Sequence, residues 1–313
     1  MATFSPTKTG LPGLTLIERI GNTPLIRLDR VAADYPGVQV LGKAEWTNPG
    51  GSVKDRPASA IVLDALERQH LCPGRRLLDA TSGNTGIAYA MLGASLGFGV
   101  TLCMPENVSA ERKRILQAYG AELVWTDPAD SSDGAIRKAR ELAQDAQYFY
   151  ADQYSNENNW RAHYRSTGPE ILEQTEGRVT HFIAGLGTSG TFTGTARRLK
   201  EFNPEITCIA MQPDSPFHGL EGMKHYATSI VPSIYDPSLT DRTIEVETEA
   251  AYDMAKRLGR SEGLLVGISA AAAVVACLRV AEEEAAAGRE AMIVTVLPDS
   301  ADKYLSDRFW EER

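Results

Sequence analysis

Lys54 stands in NPGGSVKD, where a glycine turn gives way to helical spacing, and this placement could turn an ordinary amine into a nucleophile. Pro49, Gly50 and Gly51 cannot continue a strand, and Ser52 is a good helix N-cap. Val53, Ile61, Val62 and Leu66 then recur at helical intervals in VKDRPASAIVLDALERQ, which predicts Lys54 in the first helical turn. A free lysine has a pKa near ~10.4, but desolvation and the positive end of a helix both favour its neutral form. A neutral amine can form a Schiff base with a carbonyl. Alone, GGSxK also describes a surface lysine after a turn.

A second stretch supplies the complementary chemistry. THFIAGLG is a short apolar run feeding Gly185, Gly187, Thr188, Ser189, Gly190, Thr191 and Gly194, after which ARRLKEF reads as helix. Strand, glycine loop and helix make a phosphate cradle: backbone N–H groups approach the oxygens, hydroxyls add donors, and the helix start contributes partial positive charge. The loop lacks the lysine and spacing of a nucleoside-triphosphate loop, and no acidic residue stands at a convincing strand end about ~20 residues on to hold a ribose. A third stretch, DATSGNTGIAYAMLGASLG, places Thr81, Ser82, Gly83, Asn84, Thr85 and Gly86 at the start of an apolar helix. Donors converging there suit a carboxylate, although a simple capped turn has the same appearance. An amine for a carbonyl, a cradle for a phosphate and a loop for a carboxylate together describe a pyridoxal phosphate (PLP) site that accepts an amino acid, hence a lyase or transferase.

These motifs resemble the cysteine synthase and cystathionine β-synthase family of fold type II PLP enzymes. The likeness runs from IGNTPLIRL (Ile20 to Leu28) and KAEWTNPGGSVKDRPA through TSGNTGIA, MPENVSAERKRILQAYGAELV, QYSNENNW and TGPEI to GLGTSGTFTG, VGISAAAAV and LPDSADKYLSDRFW. The resemblance implies that Lys54 anchors PLP covalently and then carries the Cα proton, while Asn84 bonds the cofactor's ring oxygen. It implies that Gly187, Thr188, Ser189, Gly190 and Thr191 hold the phosphate. Ser189 replaces the glycine of many relatives, which adds a donor and requires a φ that serine tolerates. Thr81, Ser82, Gly83, Thr85 and Gln153 are implied to receive the substrate's α-carboxylate. Ser269 would face the pyridine nitrogen; it could also cap its helix. The implied reaction is β-replacement of O-acetyl-L-serine or O-phospho-L-serine through an α-aminoacrylate, with sulfide or another sulfur donor, to give L-cysteine. Condensation with homocysteine, as in cystathionine β-synthases, and a catalytically idle peptide-binding scaffold are the alternatives.

QPDSPFHGLEGMKHYATSIVPSIYD departs most from the family pattern. Lys224, with His218 or His225, could place positive charge where a phosphate leaving group would lie. The implied partners are a homodimer mate, a serine acetyltransferase C-terminus or a sulfur-carrier protein.

Composition agrees with a soluble enzyme: 313 residues, 43% hydrophobic and 23% charged, with a net charge of −9 that disfavours nucleic acid and acidic membranes. Cys72, Cys103, Cys208 and Cys277 are scattered beside apolar residues, without metal-ligand spacing, and read as reduced core thiols. MATFSPTKTG is polar and no apolar run reaches ~18 residues, so neither a secretory signal nor a membrane span is expected, and a cytoplasmic location follows. Strand-like TLCMP, FIAGLG, CIAMQ and MIVTVLP alternate with helical SAERKRILQAYG, AIRKARELAQDA and TEAAYDMAKRLGR, an α/β order with parallel sheets. By resemblance, residues 47–151 form a small mobile substrate-binding lobe, inserted into a large PLP-binding lobe made of 1–46 and 152–313.

Overall fold

Apolar strands and the helices between them build two sheets in the computed structural model, which describes residues 13–81 and 83–311, apart from the side chain at position 131. The polar segment MATFSPTKTG and Ser82 lie outside the described residues. The larger sheet has six strands in the order β1 (Leu25–Arg27), β2 (Val38–Ala44), β10 (Ala291–Leu297), β7 (His181–Gly185), β8 (Thr207–Pro213) and β9 (Arg242–Val246). Its neighbours run parallel except β1, which pairs antiparallel with β2 and sets Leu25 opposite Lys43. The smaller sheet has four strands, all parallel, in the order β5 (Glu122–Thr126), β4 (Val100–Pro105), β3 (Arg76–Ala80) and β6 (Tyr148–Tyr150).

Burial explains why the central strands lack alternation. Helices cover both faces of a parallel sheet, so VTLCMP in β4 and AMIVTVL in β10 are buried at every position. Two apolar helices lead into the functional region. In α2 (Asn84–Leu96) the run from Thr85 to Gly93 is buried, and α9 (Ile268–Ala286) is buried from Ile268 to Leu278. The run of alanines from Ala270 to Ala273, with Ala276 and Ala281, lets the backbone of α9 sit close to the sheet. Cys103, Cys208 and Cys277 are buried free thiols, and Cys72 is partly exposed. No helix among the described residues is long and apolar enough to cross a membrane.

The start of the Lys54 helix differs from the sequence expectation. Helix α1 runs Asp55–Glu67, so Lys54 is the residue just before it, and Ser52 Oγ accepts from Lys54 N at 3.2 Å without capping the helix. The cause is a long-range tether: Ser52 forms a bridge with Asp299, and Val53 N donates to Pro298 O at 2.8 Å. Ser52 is therefore bridged to the segment after β10, Val53 and Lys54 turn away from it, and the helix begins only beyond them.

Candidate active site

The ends of β3, β7 and β10 and the starts of α1, α2, α7 (Gly190–Phe202) and α9 surround a cavity of about 450 Å³. Lys54 retains some exposure towards it. Crowding by protein lowers the Lys54 pKa, with Asp299 and Glu45 pulling it back up. The amine is therefore easier to deprotonate than a surface lysine, as a carbonyl-attacking group requires. Beneath it a buried charge network fixes α1: Arg56 pairs with Glu45 at 2.8 Å and with Glu170 at 2.6 Å, and Lys43 pairs with Glu170 at 2.7 Å.

The glycine loop between β7 and α7 is tight. A Cβ at Gly190 would fall 1.9 Å from Asn159 Oδ1, and one at Gly187 would fall 2.3 Å from the Gly222 carbonyl oxygen. Ser189 has φ 67°, in the left-handed region, and its buried Oγ has no hydrogen-bond partner among the described residues. Tyr226 faces Ser189 as well, but its hydroxyl is directed at the Gly187 carbonyl, 3.2 Å away. Asn159 Nδ2 donates to Thr188 Oγ1 at 3.1 Å. His163, on α5 (Asn158–Arg165), lies 3.3 Å from Thr191 Oγ1 through Nε2 and 2.9 Å from Thr167 Oγ1 through Nδ1. Burial pushes its pKa down to about 3, so the ring is neutral and orients hydroxyls without adding charge.

On the other side, Thr81 Oγ1 accepts from Gly83 N at 3.2 Å and from Gly86 N at 3.3 Å. Thr85 donates to Gln153 Oε1 at 2.8 Å, and Gln153 Nε2 donates to Ala80 O at 2.6 Å. Gln153 is also held by its backbone N–H, which reaches Asp79 Oδ2 at 3.3 Å. Asn84 opens α2 and donates to Asp299 Oδ2 at 2.7 Å, an oxygen that also accepts from the Tyr304 hydroxyl at 2.6 Å. Its second N–H remains for another acceptor. Ser269 lines the cavity as the second residue of α9; Gly267, not Ser269, holds the cap position. Lys224 reaches the cavity but is engaged, 3.2 Å from Asp133 Oδ1. His218 lines the cavity, whereas His225 turns to Thr228 Oγ1 at 2.9 Å.

Thus the described candidates Lys54, Thr81, Gly83, Asn84, Thr85, Gln153, Gly187, Thr188, Ser189, Thr191, Ser269 and Lys224 converge on one cavity; Gly190 stands behind it in the loop. The sequence reading missed Asp79, Asp133, Asn159, His163 and Asp299. Asp79, Asn159 and Asp299 sat inside quoted motifs, DATSGNTGIAYAMLGASLG, QYSNENNW and LPDSADKYLSDRFW, and the others carried no local signal. The arrangement suits a phosphorylated aldehyde: an amine of lowered pKa, a loop with an unpartnered buried hydroxyl, and a serine at a helix start that could face a ring nitrogen.

Residues 16–299 match the family described as pyridoxal-phosphate dependent enzymes, and the chain belongs to that family. Among individual proteins it is similar to the cysteine synthase of Aquifex aeolicus, 52% identical over 303 residues that cover 96% of this chain and 93% of that one. Among solved structures, O-ureido-L-serine synthase superposes with a TM-score of 0.89 at 36% identity, covering 95% of both chains. The cysteine synthase of Entamoeba histolytica superposes with a TM-score of 0.89 at 34% identity, covering 100% of this chain and 94% of that one.

Proposed function

We infer that the protein is a PLP-dependent cysteine synthase, a transferase that replaces the β-substituent of O-acetyl-L-serine or O-phospho-L-serine with sulfide or another sulfur donor and releases L-cysteine. The observation that carries the reading is Lys54 at the mouth of a phosphate-type loop, in a chain half identical to a cysteine synthase along nearly its whole length.

Bound PLP supplies an electron sink for negative charge developing at the substrate Cα. Lys54 would hold the cofactor, and its amine would take the Cα proton and later return it. Gly187, Thr188, Ser189, Gly190 and Thr191 grip the phosphate with backbone N–H groups and hydroxyls. Thr81, Ser82, Thr85 and Gln153 would orient the α-carboxylate, with the Gln153 side-chain amide set by Ala80 O and Thr85 and its backbone N–H by Asp79. Asn84 would donate to the ring oxygen, and Ser269 would face the ring nitrogen. A neutral hydroxyl there does not force ring protonation, which favours β-elimination and replacement over transamination. Residues 47–151 act as a mobile lobe that closes over the substrate and excludes water from the reacting carbons. The enzyme works in the cytoplasm as a homodimer, and the cleft is open to a serine acetyltransferase C-terminus or a sulfur-carrier protein.

The test is the visible spectrum of the purified protein before and after O-acetylserine or O-phosphoserine is added without a sulfur donor. The expected result is a cofactor band that shifts with one of the esters and is restored by sulfide as L-cysteine appears. A protein with no cofactor band, even after PLP is supplied, overturns the reading.

A further inference from the structure

Two cations at the cavity are matched by carboxylates from the opposite side of the cleft. Arg112, on α3 (Ala110–Ala118) beside the smaller sheet, pairs with Glu221. Lys224, in the segment after β8, lies 3.2 Å from Oδ1 of Asp133 on α4 (Ser131–Leu142). Ser132 Oγ is 3.4 Å from the same ammonium, and the Tyr154 ring centroid is 5.3 Å away. The two partners differ in solvation: the Lys224 side chain is 7% exposed and that of Asp133 is 30% exposed. Lys224 lines the cavity, whereas Asp133 does not, so Asp133 reaches a bound substrate only through Lys224.

We propose that Asp133 is a specificity-positioning residue, whose carboxylate neutralises Lys224 and so selects for substrates with an uncharged β-leaving group over those with an anionic one. The proposal rests on the cysteine synthase reading and adds to it what decides between the two esters. A phosphate ester brings between one and two negative charges. To use Lys224 it must either share the ammonium with Asp133, placing like charges side by side, or drive Asp133 out into water and forfeit the pair. An acetyl ester is neutral and requires neither. The selection therefore works by a built-in repulsion. Arg112 does not relieve it, because Glu221 holds that cation in the same way.

The test compares the holoenzyme with Asp133→Asn, which keeps the shape and removes the charge. kcat/KM is measured for O-phosphoserine and O-acetylserine, together with inhibition of O-acetylserine turnover by inorganic phosphate. We expect Asp133→Asn to raise kcat/KM for O-phosphoserine roughly three- to thirtyfold, mainly through KM, and to strengthen phosphate inhibition by a similar factor. Turnover of O-acetylserine should stay within about twofold of wild type, and adding Lys224→Met should abolish the gain. Asp133→Ser serves as a second variant if Asp133→Asn lacks the cofactor band. Equal changes for both esters, or unchanged phosphate inhibition, overturn the proposal. If the wild type turns over neither ester, the cysteine synthase reading fails instead. Calorimetric binding of inorganic phosphate to the two proteins then still decides whether Asp133 screens Lys224.

Discussion

Ser189 combines a backbone angle that glycine would adopt more easily with a buried hydroxyl that makes no hydrogen bond of good geometry among the described residues. Two replacements separate these features. Ser189→Gly relieves a left-handed conformation worth ~1–2 kcal/mol for a residue with a Cβ, and it gives back ~0.5–1 kcal/mol through the greater freedom of the unfolded chain. The apoprotein should therefore gain about 0–1.5 kcal/mol. Ser189→Ala keeps the backbone cost and removes only the hydroxyl. If Ser189 donates to the cofactor phosphate, each variant loses a hydrogen bond to a charged acceptor worth ~1.5–3 kcal/mol. That loss raises the Kd for PLP about ten- to hundredfold. Titration of the apoprotein with PLP, followed by the visible band, gives the affinities; thermal melts with and without PLP give the stabilities. The two variants should agree in Kd within about threefold and differ in apoprotein melting, with the glycine variant higher. A Ser189→Ala protein that binds PLP as tightly as wild type would refute the reasoning.

Two further outcomes are expected. Burial lifts the Asp79 carboxyl to about 8, above its ordinary 3.8, so the folded protein keeps a proton that the unfolded chain releases. This contribution is complete below the unfolded value and is lost as pH rises through the folded one. Relative to Asp79→Asn, wild type should therefore lose up to ~1.4 kcal/mol per pH unit between about pH 5 and 8, and parallel denaturant-stability curves would contradict it. Arg56→Met strands Glu45 and Glu170 without their guanidinium and should cost ~3–5 kcal/mol, read as a lower urea midpoint at unchanged slope. Arg56→Lys should recover only part of this, because a single ammonium cannot reproduce the fork that reaches both carboxylates; full recovery would rule out that geometry.

What was legible in the sequence was what local chemistry dictates. The apolar runs of β4 and β10, buried throughout, and of β7 and β8, buried at their centres, read correctly because burial on both faces leaves no room for polar alternation. Gly187 and Gly190 stood out because a side chain there would collide with Gly222 or Asn159, a demand that leaves its mark at the residue itself. The start of α1 was misplaced because Pro298 and Asp299 set it from the far end of the chain. Asp299 and Asp133 escaped notice for a related reason: each acts through a partner, Asn84 at a separation of 215 residues and Lys224 at 91. Lys224 was recognised as a cation near the site, but the carboxylate that tempers it could be seen only once the two sides of the cleft were brought together.

The pairing of β2 with β10 bears on how the chain acquires its structure. Val38–Ala44 lies next to Ala291–Leu297 at the middle of the larger sheet, so an early segment of the chain must wait for nearly the last one before its hydrogen bonds are met on that side. On a ribosome, the strands of the smaller sheet, all contained within residues 76–150, can pair while the larger sheet still lacks its central strand. Until β10 emerges, β2 presents an unpaired apolar edge, the kind of surface that other chains capture. Truncation after β9 would make that exposure permanent, and the expected product is an aggregate in place of a smaller folded protein.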